Sequence, residues 1–233
     1  MKNLAINRME FTDLFWNTIF SNGFSILREV ENKIRDKNAY FESLRVNAEY
    51  NTGSVSLSTS ICLALISSYF QPSIIAEVGT FIGRSTYSLA LGGKLGGDNL
   101  KCIHSCDASN DISLNLSPLA PLVQYPKQTS NQMHTKLLLD KVIPELYFVD
   151  GRLTKDDAIM MEKMNASNSI IVLDDFEGTE KGVTNAFLLT ESFKNFVVAY
   201  PPQPQLLQKL GLFDRSLLSI LVPISRLSFV NQG

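Results

Sequence analysis

Apolar positions in the first seventy residues recur at helical spacing, with Phe11, Leu14, Phe15 and Ile19 forming one stripe and Leu27, Val30, Ile34, Phe41 and Leu44 another. Ile61, Leu65 and Ile66 mark a further helix. Asn22-Gly23 and the NTGS at 51–54 punctuate these segments, and Pro72 ends the last of them, so the pattern predicts two or three helices before the first strand. From 74 onward the pattern changes to short apolar runs closed by polar or glycine-bearing turns: SIIAEVG, KCIHSCD, LYFVDG, SIIVLDD and FVVAY. Runs without polar alternation suit parallel strands covered on both faces, and most intervals are long enough for crossover helices. A Rossmann-like, doubly wound, mostly parallel α/β sheet over 71–233 is expected, with 1–70 as a helical extension serving as a lid or dimer surface.

Local signals refine this outline. Thr154 with Asp157 resembles a capping box before AIMMEKM, and KGVTNAFLLTESF supplies a helix after SIIVLDD. Pro118, Pro121 and Pro126 leave little room for a helix in DISLNLSPLAPLVQYP, so one crossover should be irregular. The segment SLLSILVPISRLSFV is expected to give a last strand, antiparallel at the far side of the sheet.

The length of 233 residues accommodates one large α/β domain with an extension, while two full domains would be cramped. With 45% hydrophobic and 19% charged residues, extensive disorder is excluded. The net charge of -2 gives no general basic field, which makes nucleic acid a poor partner and a small molecule a better one. Three cysteines and a start lacking a signal-peptide pattern point to a reducing cytoplasm. No apolar run is long enough to span a bilayer.

Chemistry concentrates where the apolar runs stop. Ligands of open parallel sheets sit beyond the carboxyl ends of the strands. Four of these ends carry acids: Glu77, Asp107, Asp150 and the Asp174-Asp175 pair. Clustered carboxylates repel one another unless they hold something. Gly79 and Gly83 let the backbone approach a ligand, and Ser85 falls at the start of the next helix, where free N–H groups attract a carboxylate. The turn reads E-x-G-x-x-x-G-x-S rather than the G-x-G-x-x-G of nicotinamide enzymes.

On these residues, EVGTFIGRST resembles the first motif of class I S-adenosylmethionine-dependent methyltransferases, and Asp107 in CIHSCD resembles their ribose-binding acid. The resemblance implies that Gly79, Gly83 and Ser85 touch the methionyl group, that Glu77 organises the loop, and that Asp107 receives both ribose hydroxyls. Gln128, Thr129 and Ser130 are candidates for the adenine side, and NTGSVS at 51–56 is a secondary candidate for the cofactor. LYFVDG followed by IIVLDDFEG is similar to the catechol and caffeoyl O-methyltransferases, which implies O-methylation of a small-molecule hydroxyl. In that group Asp150, Asp174 and Asp175 would match the ligands of Mg2+, or of Ca2+ or Mn2+. Asp175 stands where those enzymes usually carry asparagine, and their lysine shortly after the first ligand is absent, with only Arg152 and Lys155 nearby. His104, His134, Asp150 and Asp174 are the candidate bases.

Other readings compete. Both glycines also suit tight packing without a ligand, and Asp107, Asp150, Asp174 and Asp175 suit turn and helix caps. Cys102, His104 and Cys106 share one strand face, but a straight strand spreads its side chains too far for easy zinc coordination. The stripe Phe11, Phe15, Trp16 and Phe20 reads as packing first and as a site cover or homodimer surface second. A metal-independent N- or sugar methyltransferase, a nicotinamide-dependent oxidoreductase and a non-catalytic binding module are the alternatives to the methylation of a hydroxyl.

Overall fold

The computed structural model describes residues 8–46, 54–108 and 114–231. Its first element is a single helix, α1 (Arg8–Val46), where two were expected. Asn22 does not break the helix, because its amide Nδ2 donates to the Thr18 carbonyl oxygen one turn back at 2.8 Å. Gly23 is there for packing: a Cβ at this position would lie 2.6 Å from Leu65 Cδ2, in the helix laid across it. That helix is α2 (Leu57–Phe70), opened by the Ser56 hydroxyl, which accepts the Thr59 N–H. It closes at Gln71 in a left-handed conformation just before Pro72. The predicted turn at 51–53 lies outside the described residues.

The remaining elements are β1 (Ile74–Val78), α3 (Arg84–Gly96), β2 (Cys102–Cys106), β3 (Val123–Gln124), α4 (Ser130–Leu139), β4 (Leu146–Val149), α5 (Lys155–Lys163), β5 (Ile170–Leu173), α6 (Lys181–Ser192), β6 (Phe196–Ala199), α7 (Pro204–Gln208) and β7 (Ser219–Pro223). The expected capping box forms at α5 between Thr154 and Asp157. Among the described residues between β2 and β3 the chain makes only a 3-10 turn, Ala120–Leu122, as the prolines require.

The seven strands run in the order β3-β2-β1-β4-β5-β7-β6. All are parallel except β7, which pairs antiparallel with both β5 and β6. The last strand was expected at the far side of the sheet, but it inserts one position inside the edge. Every residue of β7 is buried. An inner position, paired on both sides, suits such a strand better than an exposed edge. This is a Rossmann-like, mostly parallel sheet wound with helices on both faces.

Helices cover both faces, which explains why the strand sequences do not alternate with polar residues. In β4, Leu146 and Phe148 join a cluster with α1, α2 and α3, while Tyr147 and Val149 join the other with α4, α5 and α6. Phe11, Phe15 and Trp16 are fully buried in the first cluster. Trp16 Nε1 also donates to the Tyr200 carbonyl oxygen at 2.7 Å, so the aromatic stripe is interior packing. The buried Arg84 guanidinium ties α1 to the start of α3, donating to Glu42 Oε1 at 2.7 Å, Asn38 Oδ1 at 2.9 Å and the Val55 carbonyl oxygen at 3.2 Å. No described helix is long and apolar enough to cross a membrane.

Candidate active site

The turn after β1 is organised from inside. Glu77 is fully buried and accepts three hydroxyl donors: Ser85 at 2.6 Å, Thr86 at 2.5 Å and Ser105 at 2.5 Å. Burial pushes its carboxyl above the usual range, and the three hydroxyls act in the opposite direction. Asp107, at the end of β2, accepts the Phe81 N–H on Oδ2 at 2.8 Å and so holds the crest of the same turn. Gly79 has φ 96, and a Cβ there would lie 2.9 Å from the Gly151 nitrogen, where the ends of β1 and β4 converge. Only glycine combines that conformation with that approach.

On the other side of β4, Asp150 and the Asp174-Asp175 turn face one another around Lys181, the first residue of α6. Lys181 Nζ lies 2.7 Å from Asp150 Oδ1 and 3.0 Å from Asp175 Oδ2. Burial alone would lower the lysine's proton affinity, but the two carboxylates more than offset this and hold it above the usual range. Burial and the Asp174 carboxylate push Asp150 upward, against the pull of Lys181, and burial likewise raises Asp174.

Two cavities meet along this edge. The first, of about 520 Å³, runs over the ends of β1, β2 and β4 and is lined by Gly79, Phe81, Asp107, Gln128, Thr129, Ser130 and Asp150 among others. The second, of about 470 Å³, is walled by Ser54, Ser56, Thr59, Asp174, Asp175 and Arg215. Asp150 and Lys181 line both.

Several sequence-predicted residues are thus brought together: Gly79, Asp107, Thr129 and Ser130 in the first cavity, Asp174 and Asp175 in the second, Asp150 at the junction. Three are not. Ser85 turns its hydroxyl inward to Glu77, because a buried carboxylate needs donors more than a solvated ligand does. Gly83 packs against the Leu114 side chain, within 2.9 Å of a Cβ built on it, and does not line the first cavity. His104 lines neither cavity; it sits on β2 within electrostatic reach of Lys136 on α4 and of Asp140, which caps that helix. His134 is fully buried, with Nδ1 2.9 Å from Asp157 Oδ1, and is removed from the candidate bases as well. In the segment 51–56, Ser54, Val55 and Ser56 face the second cavity rather than the first.

The divalent ion expected on Asp150, Asp174 and Asp175 does not fit this arrangement. The Lys181 ammonium stands between Asp150 and Asp175, where a cation would go. Among the described residues no group of three or more His, Cys, Asp or Glu side chains is arranged to hold a metal. This includes Cys102, His104 and Cys106, and burial pushes the Cys106 thiol up to about 12, which keeps it protonated.

Sequence reasoning missed Lys181, Thr86 and Ser105. The two hydroxyls had a usable signal, since a buried acid requires nearby donors. Lys181 opens the helical segment KGVTNAFLLTESF, and nothing in its spacing ties it to the acids.

No family model and no curated protein matches the chain. Solved structures do match its fold. Cofactor-bound Rv0187 from MTB superposes with a TM-score of 0.57 at 14% identity, over 80% of this chain and 88% of that one. An O-methyltransferase from Bacillus cereus in complex with SAH gives 0.55 at 15% identity, over 83% and 89%. A putative O-methyltransferase from Klebsiella pneumoniae gives 0.52 at 15% identity, over 82% and 88%.

Proposed function

We propose that this protein is an S-adenosylmethionine-dependent methyltransferase acting on a hydroxyl group of a small molecule. The observation that carries the reading is the meeting of two cavities at Asp150 and Lys181, one suited to the cofactor and the other to an acceptor. In the first, Asp107 offers acceptor oxygen to the ribose diol, Gly79 leaves room for the methionyl backbone, and Gln128, Thr129 and Ser130 border the adenine. Neighbours of the same fold that are cofactor-bound and SAH-bound support the choice of cofactor.

The reaction is an in-line displacement, for which alignment and exclusion of water supply most of the acceleration. The acceptor oxygen attacks the sulfonium methyl, the C–S electron pair returns to sulfur, and S-adenosylhomocysteine leaves as a neutral thioether. The hydroxyl proton passes to Asp174, which faces the acceptor cavity and whose proton affinity is raised by burial. A carboxylate base suits an alcohol, which must lose a proton as it reacts, better than a free amine. Ser54, Ser56, Thr59 and Arg215 make the acceptor wall polar, which favours a polyhydroxylated acceptor over a flat aromatic one.

Radiolabelled methyl donor offered to separate panels of polyols, phenols and amines tests the assignment. Label is expected in a polyhydroxylated product, with one S-adenosylhomocysteine released per methyl transferred. Transfer to amines and to no hydroxyl acceptor would overturn it.

A further inference from the structure

We infer that Lys181 is a built-in cation that replaces the divalent metal of catechol-type enzymes, so that this site works on its acceptor without a metal. The inference rests on the proposed methyl transfer for its chemistry, but on geometry alone for the lysine's position.

That position is fixed by three contacts within one turn of α6. Lys181 itself bridges Asp150 and Asp175. Gly182 is pressed against the acidic turn so closely that a Cβ on it would lie 2.1 Å from the Asp174 carbonyl oxygen. Asn185, also buried, clamps the turn after β4 by donating from Nδ2 to the Gly151 carbonyl oxygen at 2.8 Å and accepting the Leu153 N–H on Oδ1 at 3.0 Å. The start of α6 is therefore locked to both carboxylate-bearing turns, and the ammonium is carried on a rigid element. Asp175 completes the seat with φ 53, a left-handed conformation that aspartate tolerates better than most residues.

The chemistry follows from where the ammonium sits. Lys181 and Asp150 are the residues common to both cavities, so the methyl must cross beside them. As the acceptor oxygen loses its proton to Asp174, negative charge builds on it, and a fixed ammonium stabilises that charge by a short hydrogen bond. The methyl moves to oxygen, the electron pair moves to sulfur, and Lys181 keeps its own proton throughout. Metal enzymes obtain the same stabilisation from a divalent ion. A divalent ion could enter here only by displacing a lysine held by two carboxylates.

Titration with Mn2+, followed by the loss of the free-ion electron paramagnetic resonance signal, decides the matter without an acceptor. The wild-type chain is expected to take up no Mn2+ with S-adenosylhomocysteine present or absent. Lys181→Met, with its circular dichroism checked, is expected to take up one ion per chain at Mn2+ concentrations where wild type takes up none, because removing the ammonium leaves paired acids exposed to one another. Lys181→Gln replaces it if the methionine variant does not fold. Stoichiometric uptake by wild type that Asp150→Asn abolishes would overturn the inference, and so would uptake by neither protein. Calorimetry of S-adenosylhomocysteine on the same wild-type sample separates the two claims: lack of binding condemns the proposed activity, while the Mn2+ result still judges the lysine.

Discussion

Calorimetric titration of Asp107→Ala with S-adenosylhomocysteine is expected to show an affinity roughly 30- to 100-fold below wild type, the worth of a charge-assisted hydrogen bond plus a loosened loop. Both parts come from one side chain. Asp107 borders the cofactor cavity and also receives the Phe81 N–H at the crest of the glycine turn. Asp107→Asn separates them, since its amide oxygen still accepts from Phe81 while the negative charge facing the diol is gone. A loss of roughly tenfold is expected for this variant. Affinity unchanged in Asp107→Ala would remove the residue from ribose binding.

The second large effect is on stability. Glu77→Leu is expected to cost about 3–5 kcal/mol in urea unfolding, because Ser85, Thr86 and Ser105 lose their common acceptor inside the core. The damage spreads through Ser105, whose hydroxyl also bonds to that of Thr80 in the same turn. Glu77→Gln keeps one acceptor oxygen and should cost about 1–2 kcal/mol. Because burial holds this carboxyl above its ordinary range, its own contribution to stability is greatest below the unfolded-state pKa and declines as pH rises through the folded one. A leucine variant as stable as wild type would show that the hydroxyls find other partners.

The sheet was legible because its strands are buried on both faces, so IIVL and LYFV declare themselves as unbroken apolar runs followed by acids, and IIAEV departs from this only at Glu77. The irregular crossover was legible for the opposite reason, since prolines forbid a helix there. What escaped the sequence depends on contacts between distant segments. Gly23 reads as a break until Leu65 is seen pressing on it. Ser85 reads as a ligand contact until the burial of Glu77 gives its hydroxyl a stronger claim. The acids at 150, 174 and 175 were readable as a cluster, but the cation among them was not, because Lys181 joins them only through the folding of α6 onto both turns. The position of β7 inside the sheet edge likewise depends on the pairing of Ile220 with both Val172 and Ala199.

The cavity over β1, β2 and β4 is the proposed seat of S-adenosylmethionine. Calorimetry of the wild-type chain with S-adenosylhomocysteine and, separately, with NAD tests it most directly. One S-adenosylhomocysteine is expected to bind per chain with affinity in the micromolar range, roughly -8 kcal/mol, and NAD to give no heat. Selective binding of NAD, or binding of neither nucleotide, would contradict it.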